Sequence, residues 1–546
     1  MSRLLRGTLI LTAATFFSKF IGLIYIIPFT ALVHEGGIAL YGYAYNPYTI
    51  LLSISTMGIP LAVSKFVSKY NAMGDYETGR RLLKSGLLIM TLTGTAAFLL
   101  LYSSAPFLAG KIIVKHGENG NSLEDIIFVI RMVSTALIIV PSMSLIRGYF
   151  QGFQSMGPTA VSQVVEQIVR IVFILIGAWV IMNVLDGTTT QAVGLATFAA
   201  TLGAIAGLIV LLWYWKKRSP HLKKMYAENK TNSNVSLAAM YKETVAYAIP
   251  FVAVGLAIPI YQMVDQFTIV NVLVDKAGYT PAKAESVFAI ITQIVHKLVM
   301  IPVSLATALA LTLIPVITQS YVQNNREALN KQITQTFQMV LFLTMPAAIG
   351  LSVLGVPSYG ALFGTKSMEF GGYFLEWYAP TAILFALFSV TAAIMQGLNK
   401  QKFAFVSLML GFGVKVLLNA PLLALFEGIG SIVATNIGFT VSFIFNLYII
   451  RKYGGFSYKW VFRRTVLMLI FAIAMALSTL GVKNGLESFY GAEYSRIETM
   501  LTLAAGIIAG GAVYLFLSYR SGLMNIVLGE KFSFIGKRGK KEKQHE

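Results

Sequence analysis

Lys19, Arg131, Arg170, Lys297 and Lys415 each stand inside a long apolar run of the chain. A basic side chain at the centre of a bilayer costs about 2.5–3.5 kcal/mol on insertion scales. Such a group faces a wet cavity or a partner, not lipid. The neighbours agree, because polar residues recur at helical spacing around these positions. Gln163, Glu166, Gln167 and Arg170 fall at i, i+3, i+4 and i+7, one face of a helix. Gln293, His296 and Lys297 form a second such cluster, Lys415 precedes Asn419 by one turn, and Gln262, Asp265 and Gln266 form another. Acidic residues well inside the runs are few, chiefly Glu166 and Asp265. The polar lining is therefore net positive, which suits an anionic cargo such as a pyrophosphate.

Each of these residues also has a structural reading. Arg170 either faces a cavity or pairs with Glu166 one turn away. Lys19, Lys297 and Lys415 have no carboxylate within one turn, so a cavity role is expected for all three. Lys65 and Arg147 stand at helix ends, where snorkelling explains them. Asp265 is either a counter-ion or a site for a coupling cation, and His296 packs or hydrogen-bonds in a core. Other chemistry is poorly served. There is no Cys, and the five His residues show no HExxH spacing, so neither a metal nor a cofactor is expected. A GxxxxGK[ST] loop is also missing, which argues against ATP hydrolysis.

The elements that must carry these groups are membrane helices. The chain has 546 residues, 56% hydrophobic and 12% charged, against about 25% charged in ordinary soluble proteins. Hydropathy places about fourteen spans, at 8–33, 41–64, 85–108, 125–146, 159–183, 190–214, 244–273, 285–318, 333–356, 372–395, 403–426, 429–450, 461–482 and 497–518. The formal net charge of +20 is concentrated in the even-numbered loops and the termini, as in Lys216, Lys217, Arg218, Lys223 and Lys224 after the sixth span. By the positive-inside rule both termini are cytoplasmic, and the distribution argues against nucleic acid as a partner. The odd-numbered loops are short and carry few carboxylates, which disfavours an enzyme working on the outer face.

The longest polar linker, after Lys216, divides the chain into halves, 1–228 and 229–456, followed by two helices over 457–520 and a basic tail over 521–546. An internal repeat supports the division. RGYFQGFQSMGPTAVSQVVEQIVR and AAIMQGLNKQKFAFVSLMLGFGVKVLLN each close one helix with Gln-Gly, and each carries a basic residue inside the next. The interval from Gly152 to Arg170 equals that from Gly397 to Lys415. Like halves with a site between them are a common transporter design.

The stretches FFSKFIGLIYIIPF, GIPLAVSKFVSKYNAMGD, RGYFQGFQSMGPTAVSQVVEQIVR and VKVLLNAPLL resemble the multidrug/oligosaccharidyl-lipid/polysaccharide exporter superfamily. Within it they are most similar to the branch of stage V sporulation protein B and the MurJ-type lipid II flippases. The resemblance covers essentially the whole chain. It implies an all-α polytopic membrane protein with two six-helix lobes around a cationic cavity, and two C-terminal helices forming a groove for a polyprenyl tail. It further implies a bacterial plasma-membrane flippase for lipid II or a related undecaprenyl-pyrophosphate glycan, working by alternating access and coupled to membrane potential or a cation gradient. Another polyprenyl-linked glycan, such as a teichoic-acid or capsule unit, is the alternative cargo, and drug/cation antiport a further one. Lys19, preceded by Ser18, and Lys297 match basic positions of that branch. Where the branch has an Arg-Asp pair in the first helix, this chain has Tyr25-Ile26, so Arg170 and Lys415 are expected to supply charge instead. The expected substrate contacts are thus Lys19, Arg170, Lys297, Lys415, Ser18, Gln163, Glu166 and Asn419, with Asp265 as the candidate for ion coupling.

Overall fold

Apolar runs that cannot leave backbone N–H and C=O groups unpaired in lipid are confined to helices or closed barrels, and here they are helices. The computed structural model describes residues 3–56, 58–113, 120–227, 236–490 and 495–528, and every regular element among them is helical. The basic tail beyond 528 and the linker over 228–235 lie outside the described residues, as does the side chain of Lys19.

Among the described residues, thirteen helical runs are long and apolar enough to cross a membrane. The first, Ile10–Thr56, has 47 residues, about 70 Å at 1.5 Å per residue, which suffices for two crossings of a ~30 Å core. It breaks at His34, where φ is 57°. Counting it as the first and second spans gives the expected fourteen. The others are Tyr76–Ile112, Leu123–Gly152, Met156–Asn183, Thr189–Ala227, Ala257–Ala277, Pro281–Ala308, Arg326–Val353, Met368–Gly397, Gln401–Phe426, Gly428–Gly454, Lys459–Glu487 and Arg496–Arg520. They are the third to fourteenth spans below. Several start on side-chain caps that satisfy otherwise orphaned N–H groups. Asp75 accepts from the Thr78 amide, and Ser122 with Asp125 and Ser495 with Glu498 form capping boxes.

The chain divides into two compact units, 1–294 and 295–546. The boundary between these compact units falls inside the eighth span. Specific bonds explain why the seventh span and the start of the eighth belong with the first unit. Asn46 donates to Gln266 at 2.8 Å, and Gln266 donates to the Tyr43 carbonyl at 3.1 Å. Tyr43 stacks on Phe288 at 4.7 Å, and the buried Glu285 accepts from the Asn121 side chain at 2.8 Å. The boundary coincides with a single π-helical turn, Ile290–Val295. Such turns are rare and frequently sit at functional positions.

In the second unit the two C-terminal spans are fastened to the ninth span and the segment after it. Arg464 donates to Gln338 at 2.7 Å, Tyr514 to the Phe342 carbonyl at 3.2 Å, and Arg496 to the Ala361 carbonyl at 3.1 Å. Large apolar side chains such as Leu417, Leu425 and Leu477 remain exposed, as lipid-facing surfaces require.

Candidate functional site

In the first unit, Arg170 on the fifth span projects into a group of tyrosines. Its guanidinium donates to the Tyr45 hydroxyl and lies 5.0 Å from the centre of that ring. Tyr45 stacks on Tyr41 at 4.3 Å and meets Tyr48 edge-on at 5.5 Å, and the Tyr25 and Tyr41 hydroxyls are 2.9 Å apart. A guanidinium over an aromatic face gains cation–π attraction. Its five donors sit in a rigid fork, so one bond to Tyr45 leaves others able to grip a phosphate bidentately. Arg170 is only half-buried. The arrangement is a fixed, oriented cation with unused donors.

Close packing holds the fifth span in place. A Cβ at Gly203 of the sixth span would stand 2.8 Å from the Glu166 carbonyl oxygen and 3.0 Å from the Arg170 Cβ, so only glycine lets the two helices approach this far. Thr15 donates to Gln163 at 3.3 Å, which ties the first span to the same helix. Ser18 is buried nearby in the first span.

Glu166 does not pair with Arg170. It accepts from Arg147 of the fourth span at 2.7 Å, and the same guanidinium nitrogen donates to Ser162, also at 2.7 Å. Ser162 in turn donates to the Gly207 carbonyl at 2.9 Å. Arg147 is thus a packing residue between three helices and not a snorkelling one. The helical proximity of Glu166 to Arg170 misled because the Glu166 side chain turns toward the fourth and sixth spans. Arg131, another intramembrane cation, lies over the Tyr102 ring at 4.8 Å. Asp265 is buried in the seventh span.

In the second unit, Lys297 follows the π-helical turn and is half-buried. His296 beside it has Nδ1 2.9 Å from the Tyr378 hydroxyl and its ring against Phe385, which makes it a core histidine. Lys415 departs from the expectation of a cavity-lining cation. It is fully buried, with Nζ 2.9 Å from the Ser431 carbonyl and 2.8 Å from the Thr435 hydroxyl of the twelfth span. Asn419, one turn on, is buried as well. The reason is geometric: the eleventh and twelfth spans form a tight hairpin, and the lysine points into it.

Tyr41, Tyr45 and Tyr48 were not singled out among the residues expected to act. Their spacing of i, i+4 and i+7 carried the signal, because it puts three hydroxyls on one helix face.

Fold, span number and intramembrane charge together define an all-helical, multi-pass membrane transporter. A family model described as polysaccharide biosynthesis protein matches residues 4–321, and one described as MatE matches residues 250–420. The chain belongs to the polysaccharide biosynthesis protein family, within the exporter superfamily that its motifs resemble. It is 47% identical over 541 residues to lipid II flippase MurJ of Bacillus subtilis (strain 168), covering 99% of each chain. Stage V sporulation protein B of the same organism is 22% identical over 417 residues, 75% of this chain and 76% of that one. Among solved structures, lipid II flippase MurJ in an inward closed conformation superposes with a TM-score of 0.62 at 15% identity, over 94% of this chain and 100% of that one. An inward-facing multidrug resistance MATE family transporter gives 0.62 at 14% identity, over 79% and 94%.

Proposed function

We propose that this chain is a lipid II flippase, moving the lipid-linked peptidoglycan precursor from the inner to the outer leaflet of the bacterial plasma membrane. The observation that carries the reading is the 47% identity to a lipid II flippase along essentially the full length of both chains. The site chemistry supports it. Arg170 offers a pre-oriented guanidinium to the pyrophosphate, and the sequence carries further mid-span positive charge at Lys19 and Lys297. Tyr25 stands where the branch carries an arginine, and its hydroxyl meets Tyr41, which stacks on the Arg170 partner Tyr45. The charge is thus delivered from the fifth span instead of the first. A cationic drug would be repelled by such a guanidinium. Transport proceeds by alternating access, with both termini in the cytoplasm and with membrane potential or a cation gradient as the energy source. No bond of the cargo is made or broken, so the protein is a transporter and not an enzyme.

The test is surface exposure of lipid II in cells lacking any other flippase, read by an externally added enzyme that cleaves only outward-facing lipid II. Wild type restores cleavage. Arg170→Gln at equal expression lowers the rate about tenfold or more, because a hydrogen bond to a charged group contributes about 1.5–3 kcal/mol and 1.4 kcal/mol is a decade. If wild type leaves lipid II inside, the cargo assignment is wrong, and teichoic-acid or capsule precursors are the next to measure.

A further inference from the structure

The Lys415 ammonium occupies a cage built as cation sites are built. Three neutral oxygens of the twelfth span are among its partners: the Ser431 carbonyl at 2.9 Å, the Thr435 hydroxyl at 2.8 Å and, more distantly, the Ser431 hydroxyl at 3.5 Å. The Thr435 hydroxyl donates its own proton to the Ser431 carbonyl at 2.9 Å, so its lone pairs are left directed at the ammonium. The Lys415 side chain is fully buried, and Ser431 and Thr435 are buried with it. Carbonyl and hydroxyl oxygens that replace a hydration shell are the means by which proteins hold alkali cations. The ligand-bearing twelfth span approaches the eleventh closely, since a Cβ at Gly430 would stand 2.1 Å from the Leu422 carbonyl oxygen.

We infer that Lys415 is a tethered cation, filling a monovalent-cation cage between the eleventh and twelfth spans, so that this hairpin needs no free Na+ or K+. The ammonium cross-links residues 415, 431 and 435 at a fixed distance. A diffusible ion would bind and leave the same oxygens with changes in concentration, and the lysine does neither. Any cation coupling in this chain then has to act elsewhere. The inference concerns the hairpin alone and is independent of which lipid-linked sugar is carried.

Thermal unfolding of the purified full-length chain in detergent tests it, in choline chloride, NaCl, KCl or methylammonium chloride at equal ionic strength. Choline is too bulky to enter the cage. Wild type should respond to the four salts no more than Lys415→Met, which keeps the length but fills the cage with a neutral chain, because a cation bound elsewhere would shift both alike. Lys415→Ala should unfold several degrees lower in choline and recover, saturably and beyond any shift of Lys415→Met, in methylammonium or Na+, because the small residue vacates the cage. A wild-type midpoint that rises more with Na+ or K+ than that of Lys415→Met overturns the inference. So does a Lys415→Ala protein that responds to each cation no more than Lys415→Met. If Lys415→Ala does not accumulate folded, wild type against Lys415→Met decides alone, since equal responses support the tethered cation and a larger wild-type response refutes it.

Discussion

Arg170 and Lys415 occupy matching places in the two halves of the chain, each on the helix that follows a Gln-Gly turn, yet they live in opposite surroundings. Arg170 is partly buried, held at one nitrogen by Tyr45 and flanked by aromatic faces. Lys415 is fully buried, its ammonium enclosed by a carbonyl and hydroxyls. A lone basic residue in mid-span therefore has two resolutions. One helix presents the charge with donors to spare, which suits recognition. The other spends its donors on the neighbouring helix, which suits cohesion. Residue choice matches: the planar, weakly hydrated guanidinium suits stacking and bidentate anion contacts, and the compact ammonium suits a small oxygen cage.

The largest expected effect that would separate the two regions is steric. Gly430→Ala places a methyl against the Leu422 carbonyl, a backbone atom that moves only if the hairpin opens. Overpacking of this kind costs about 1–3 kcal/mol or more. Gly413 lies on the same eleventh span with nothing within 4 Å of a built Cβ. Gly413→Ala should instead gain up to about 1 kcal/mol, the ordinary helix-propensity difference. Opposite shifts in the unfolding midpoints would locate cohesion at the Lys415 end of the hairpin. Two shifts of the same sign would remove the close-approach argument.

Next in size is Glu166→Gln. The Glu166–Arg147 pair is mostly shielded, and Ser162 shares the same guanidinium. Losing one partner leaves Arg147 with an uncompensated charge. Fully buried pairs cost 3–5 kcal/mol to break this way, and partial exposure here reduces that to about 2 kcal/mol. Stability should fall while transport per folded molecule holds. A transport defect at unchanged stability would instead bring Glu166 into the recognition region with Arg170.

That pair also shows how far the sequence could be read. Span number, the all-helical class and the basic residues in mid-span follow from hydropathy and residue type, which are local properties. Partner choice is not local. Glu166 is one turn from Arg170 and nineteen residues from Arg147, and only packing of the fourth span on the fifth decides between them. The ligands of Lys415 were invisible for a related reason, since a backbone carbonyl and two hydroxyls on another helix carry no distinctive sequence mark. The break at His34 and the π-helical turn at Ile290–Val295 likewise arise without glycine or proline at those positions. The bonds that fasten the seventh span to the first unit are equally silent in the sequence, because a long polar linker is conspicuous, whereas the amide bonds from Gln266 to Asn46 and Tyr43 are scattered.

The smallest effect, and the sharpest on the recognition side, is expected for Tyr45→Phe. The substitution keeps the ring beneath the Arg170 guanidinium, at 5.0 Å, and so keeps the cation–π attraction. It removes only the hydroxyl that accepts from the guanidinium nitrogen. One hydrogen bond is lost on a partly buried group whose remaining donors are unchanged, and the cost should be about 1 kcal/mol. If Arg170 serves recognition, that loss of orientation lowers lipid II exposure about fivefold with little change in unfolding midpoint. Tyr45→Leu, which removes ring and hydroxyl together, should do worse than Tyr45→Phe in transport. If Arg170 were instead a cohesive residue like Lys415, both variants would lower the unfolding midpoint and transport would follow stability. The ratio of the transport loss to the midpoint shift is thus the quantity that distinguishes a presented charge from an enclosed one.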